Sequence, residues 1–189
     1  HLELGCGKGG FLSQLAPLHP DINYLGIDIT DKVLILAKRK VEAAYAAAQL
    51  PPDNVKIASL DIERLSGVFS PADTVQRIYI NFCDPWPSNR HAKRRLTHPD
   101  FLLRYRQVLA EAGEIHFKTD NRDLFEWSLF QFPRVGFGVS EVTRDLHADG
   151  IHGVMTDYEE KFHNLGTPIN RCVGTMGPLP EVPEPPAEE

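Results

Sequence analysis

Cysteine, methionine and tryptophan are scarce in this chain of 189 residues, with three, two and two copies. The cysteines (Cys6, Cys83, Cys172) are odd in number, far apart and without a CxxC pair. That excludes a disulfide framework and a cysteine-built zinc site, and it fits reduced thiols in a cytoplasmic protein. The eight histidines show no metal-ligand spacing, so no metal is expected. No apolar run approaches the roughly 18 residues of a membrane span, and no secretory leader is visible. An excess of positive charge is missing too, because 20 Lys and Arg against 26 Asp and Glu give −6. Net acidity argues against a nucleic-acid binder only when the cations are spread evenly. They are not: Arg90, Lys93, Arg94 and Arg95 fill four of the six positions 90–95, while Glu181, Glu184, Glu188 and Glu189 load the far end with acid.

What is present is an alternation of short apolar runs and helical patterns. Tyr24–Ile29, Val55–Ser59, Val75–Asn81 and Glu114–Lys118 read as strands. Gly10–His19, Asp31–Gln49, Pro99–Leu109 and Asn121–Phe130 read as helices, the second with a partly buried face at Val33, Leu36, Lys40 and Val41 and a cap at Thr30 or Asp31. Such β-α alternation predicts an α/β fold with a doubly wound, mostly parallel sheet. The strand-like run His1–Leu4 opens the chain, so the native N-terminus is expected upstream. Residues 1–173 are expected to form one domain, and 174–189, rich in Pro and Glu, a disordered tail.

The first ten residues, HLELGCGKGG, run from a strand into glycines and then a helix. Gly5, Gly7 and Gly10 satisfy GxGxxG, which taken alone marks either a dinucleotide site or a turn that packs a helix on a strand. Glu3 shifts the balance. A phosphate-binding turn gains nothing from an anion there, whereas a cationic ligand does, and S-adenosylmethionine carries a sulfonium and an ammonium. Asp28 closes the second strand, where a carboxylate can accept two ribose hydroxyls. Asp61 follows the third strand, near the expected adenine position, although a helix N-cap explains it equally well. Together these residues resemble the class I methyltransferase arrangement, a Rossmann-like sheet.

The fourth strand leads into Asn81-Phe82-Cys83-Asp84-Pro85-Trp86-Pro87 and then the basic stretch. Asp84 therefore sits at the same carboxyl edge as the cofactor residues. Two prolines stiffen the turn, and a flat tryptophan can stack on a base. NFCDPWPSNRHAKRRLTHPDFL, HFKTDNRDLFEWSL and TDYEEKFHNLGTPI closely resemble three blocks of the bacterial tRNA (guanine-N7-)-methyltransferases, and the likeness runs from His1 to about Arg171. The resemblance implies that Glu3, Gly5, Gly7, Asp28, Asp61 and Asp84 meet S-adenosylmethionine, with Asp84 also the catalytic candidate. It further implies that Asp120, Thr156, Asp157, Tyr158 and Glu159 lie at the substrate guanosine, and that Arg90, His91, Lys93, Arg94 and Arg95 touch tRNA. The product would be 7-methylguanosine in the variable loop. Two positions depart from the family pattern: Ser88 stands where members often carry lysine, and Asp28 where many carry glutamate.

Guanine N7 is an unprotonated lone pair, so its attack needs no general base. Asp84 is expected to orient the base and to accommodate positive charge moving onto the imidazole ring, and Asp120 and Glu159 to hold the Watson–Crick edge. Cys83 beside acidic Asp84 is a poor nucleophile, since a neighbouring anion raises a thiol pKa. Thr156 with Glu159 also reads as a capping box opening a helix. Three rivals are a small-molecule methyltransferase, an NAD-dependent oxidoreductase and a non-catalytic RNA-binding relative. Monomer and homodimer are both compatible with the sequence.

Overall fold

The computed structural model describes residues 1–70 and 72–181. Residues 182–189, the acidic end of the expected tail, lie outside the described residues. In chain order the elements are β1 (Leu2–Leu4), α1 (Gly10–Leu15), β2 (Tyr24–Asp28), α2 (Asp31–Ala48), β3 (Val55–Ser59), β4 (Val75–Asn81), α3 (Pro99–Arg106), β5 (Leu109–Thr119), α4 (Arg122–Arg134), β6 (Phe137–Thr143), α5 (Asp157–Asn164) and β7 (Asn170–Met176). The sheet order is β3-β2-β1-β4-β5-β7-β6. Strands β1 to β5 pair in parallel, whereas β7 runs antiparallel between β5 and β6. The doubly wound, mostly parallel sheet is as expected. The antiparallel end was not, and β7 runs to Met176, past the expected domain boundary at residue 173.

Alternation along each strand sends successive side chains to opposite faces. Leu2, Leu4, Ile78 and Ile80 pack with Phe101, Leu102 and Tyr105 of α3 and Phe125 and Phe132 of α4. A second cluster joins Tyr79 to Phe11 and Leu12 of α1 and to Leu34, Val41 and Tyr45 of α2. The buried face of α2 is Leu34, Ala37, Val41 and Tyr45, rotated from the expected set, and Leu36 is exposed. Thr30 is its N-cap residue but gives no side-chain cap bond. No helix among the described residues is long and apolar enough to cross a membrane.

The chain leaves β1 towards β2 and β3, then returns to lay β4 on the other side of β1. That reversal opens a crevice beyond the carboxyl ends of β1 and β4, where open α/β sheets bind ligands. Glu3, Gly5, Asn81 and Phe82 come to the crevice by this topology.

Candidate active site

Two adjoining hollows occupy the crevice and share Gly5, Asn81 and Phe82. The first, about 310 Å³, is lined by Glu3, Gly7 and Phe11 on one side and by Thr156, Asp157 and Tyr158 on the other. The second, about 620 Å³, is lined by Asp28, Asp61, Asp84, Trp86 and Arg94. The expected cofactor residues thus converge on one crevice, and the Thr156–Tyr158 segment joins them there.

The glycine loop is held from β2. Asp28 Oδ2 accepts the Gly7 amide at 3.0 Å, and Oδ1 accepts the Thr30 amide at 2.9 Å. Gly7 has φ 50°, a region that side chains disfavour. A Cβ on Gly10 would stand 2.6 Å from the Asp157 carboxylate, so this glycine lets α5 close on α1. Asp61 caps the 3-10 turn Ile62–Gly67 by accepting the Glu63 amide at 2.9 Å. The capping reading holds, and the same residue still lines the second hollow.

Glu3 is almost wholly buried. Its Oε1 accepts from Asn81 Nδ2 at 3.0 Å, while Glu3 Oε2 and Asn81 Oδ1 have no partner. Burial pushes the Glu3 carboxyl up to about 8, against the pull of the Asn81 hydrogen bond and the Lys118 charge. Beyond β4, Phe82 and Trp86 adopt left-handed φ values of 53° and 44°. Backbone of that kind is costly for bulky residues and persists only where the surroundings enforce it. Asp84 lies between them, exposed. The Cys83 thiol is pushed up to about 12, first by burial and then by the neighbouring Asp84 and Asp120 carboxylates. It is therefore a thiol at neutral pH and not a nucleophile. Asp120 precedes α4 without capping it, because Asn121 Oδ1 takes the Leu124 amide at 2.8 Å.

Two residues expected at ligand contacts are instead engaged within the protein. Glu159 is 0% exposed. Its Oε2 accepts from Lys118 Nζ at 2.6 Å and from the Thr156 amide at 3.2 Å, and Oε1 pairs with His147 Nε2 at 3.0 Å. Because His147 Nδ1 accepts the His152 amide, Nε2 carries the proton and donates to Glu159. Glu159 therefore completes the capping box and fastens α5 to β5, with no oxygen left facing a base. Arg95 is 6% exposed and donates to the backbone carbonyls of Pro85, Trp86 and Pro87. It turns inward, whereas Arg90, His91, Lys93 and Arg94 stay exposed on the 3-10 turn Asn89–Arg94. The expected stacking face of Trp86 is partly covered, for the Arg94 guanidinium lies 4.8 Å from its ring centroid and His91 meets it edge-on at 5.8 Å.

Sequence reasoning missed Asn81, Phe82, Lys118 and His147. The first three stand inside the quoted blocks, but their types alone do not say that they line or brace a site. Phe82 stacks on Phe162 of α5 at 6.1 Å, and Lys118 carries the buried end of the α5 attachment. His147 lies in the loop between β6 and α5, with no motif to mark it.

Comparison with known proteins accords with this geometry. A family model described as "Putative methyltransferase" matches residues 1–172. The tRNA (guanine-N(7)-)-methyltransferase of Clostridium perfringens is 49% identical over 170 residues, 89% of this chain and 78% of the relative. The protein of the same name from Streptococcus suis is 51% identical over 172 residues, 90% of this chain and 78% of the relative. Among solved structures, the 16S rRNA methyltransferase KamB superposes with a TM-score of 0.69 at 16% identity, covering 94% of this chain and 87% of that one, a likeness of fold alone. The chain belongs to the bacterial tRNA (guanine-N7-)-methyltransferase family.

Proposed function

We propose that this chain transfers the methyl group of S-adenosylmethionine to N7 of a guanosine in the variable loop of tRNA. The observation that carries the reading is the pair of buried, unpartnered acceptors, Glu3 Oε2 and Asn81 Oδ1, at the junction of the two hollows. Buried acceptors normally have donors, and an ammonium group beside a sulfonium suits this pair. Asp28 uses one lone pair on each oxygen for the loop amides, which leaves capacity for two ribose hydroxyls. The residues present therefore fit the cofactor.

When bound, S-adenosylmethionine supplies a methyl group already activated by its sulfonium. Glu3 and Asn81 would receive its ammonium end, Asp28 its ribose, and Asp61 would border the adenine. Guanine N7 brings its own lone pair, so no side chain of this protein removes a proton for the attack. Asp84 orients the base and accommodates the positive charge that gathers on the imidazole ring. Its carboxylate also accepts from guanine N1–H or the 2-amino group, with Asp120 on the same edge. Thr156, Asp157 and Tyr158 form the rim on the other side, Tyr158 being 61% exposed. Arg90, His91, Lys93 and Arg94 hold the phosphates of the tRNA. The domain that runs to the end of β7 carries this activity, in the cytoplasm.

Unmodified tRNA incubated with labelled S-adenosylmethionine, then digested and mapped, tests the proposal. Label at N7 of a variable-loop guanosine is the expected result. Label on another base, or none, overturns it.

A further inference from the structure

The turn that presents Asp84 cannot close itself by ordinary means. Pro85 and Pro87 have no N–H, so the segment Pro85–Pro87 holds three carbonyls and one amide. The backbone from β4 into this segment is also twisted, with Phe82 before it and Trp86 within it both in the left-handed region. Something outside the segment must gather the carbonyls.

Arg95 does so. Its Nε donates to the Pro85 carbonyl at 3.1 Å and the Trp86 carbonyl at 3.2 Å, and Nη2 donates to Trp86 at 2.9 Å and Pro87 at 3.5 Å. The guanidinium also lies 4.5 Å from the ring centroid of Trp127 on α4, which stacks on His98 at 6.2 Å. One side chain thus ties three successive carbonyls to a helix of the core. Just before Arg95 the 3-10 turn holds Arg90, Lys93 and Arg94 out in solvent, so the basic run serves two purposes divided at one residue.

We propose that Arg95 is a positioning residue for methyl transfer: it sets the Pro85–Pro87 turn, and through it Asp84, and makes no contact with RNA. The inference rests on the methyl-transfer reading given above. A lysine cannot replace it, because the rigid fork of a guanidinium reaches several carbonyls while an ammonium is a point charge. A phosphate contact, by contrast, tolerates lysine.

The test compares Arg95→Lys, Arg95→Gln and Arg94→Ala in single-turnover methylation at saturating tRNA and S-adenosylmethionine, and in tRNA binding against salt. Both Arg95 variants should lose about tenfold or more in rate, the scale of displaced catalytic groups. Arg95→Gln should keep the wild-type salt slope, whereas Arg94→Ala lowers its log–log slope by about 0.7–0.9. A normal rate in Arg95→Lys together with a shallower slope in Arg95→Gln would make Arg95 an RNA contact. A lowered melting midpoint with full rate per folded molecule would leave it a stability residue only. Either result overturns the proposal. Should the Arg95 variants fail to fold, Trp127→Leu loosens the same tie from behind. It should slow transfer with the salt slope unchanged, and a full rate there refutes the idea. A wild-type protein that methylates no tRNA would sink the methyl-transfer reading instead.

Discussion

In the ligand-free protein at neutral pH, the Glu3 carboxyl holds its proton, because burial has moved it up to about 8. An acid whose folded value is raised contributes stability below its unfolded value near 4.5, and that contribution fades as pH climbs through about 8. Glu3→Gln should therefore flatten the decline in melting midpoint between about pH 5 and pH 8, and above about pH 8 it should exceed the wild type. A cationic ligand favours the carboxylate, so S-adenosylmethionine binding should release a proton at pH 7 and tighten towards pH 8. Calorimetry in buffers of different ionisation enthalpy detects that proton, and its absence would remove Glu3 from the ammonium site. Asp28→Ala should weaken cofactor binding by about 1–3 kcal/mol, the scale of charge-assisted hydrogen bonds. It should also loosen the glycine loop, visible as faster amide exchange at Gly7. Residue types at strand ends made the placing of Glu3, Asp28 and Asp84 at the crevice legible in the sequence. The inward turn of Glu159 and Arg95 was not legible, because direction is not written locally: a charged side chain near a site turns inward when unsatisfied backbone or a buried partner waits for it.

At the scale of elements, the site depends on α5 staying closed over the glycine loop. Besides the Phe82–Phe162 stack, two polar ties among the described residues hold it, and they differ in kind. Lys40 Nζ meets both Asp157 oxygens at 2.8 Å, with side chains 40% and 45% exposed. The Lys118–Glu159–His147 set is almost wholly buried, and burial lowers the Lys118 pKa while Glu159 opposes the shift. Removing one partner of a buried pair strands the other, at a cost of about 3–5 kcal/mol. Glu159→Ala should lose that much in urea unfolding, and Lys40→Ala less than about 1 kcal/mol, as for exposed pairs. Equal losses would refute the distinction. The capping box at Thr156 was readable from spacing alone, as were the parallel strands. Strands β6 and β7 were not: their pairings join residues 137–143 and 114–119 to 170–176, and no local periodicity announces a partner so distant. The rotated face of α2 has a related cause. Leu34 and Leu36 are equal candidates until α1 and the sheet choose between them.

For the whole molecule, a net charge of −6 coexists with one exposed basic turn, and the two must be kept apart when RNA is considered. Neutralising Arg90, Lys93 and Arg94 together should flatten the salt dependence of tRNA binding by about 0.7–0.9 per contact. Cofactor affinity should change little, with Arg94 the nearest of the three to the crevice. A triple variant with the wild-type slope would place the docking face elsewhere. The sheet order supplies a last consequence, and it concerns synthesis. Strand β7 is made after every other described strand, yet it lies between β5 and β6. Until it emerges from the ribosome, β6 has nothing to pair with and β5 shows a bare edge, the kind of surface on which nascent chains stick to one another. The parallel half of the sheet can assemble early, but the nascent protein must shield that edge until β7 slides in.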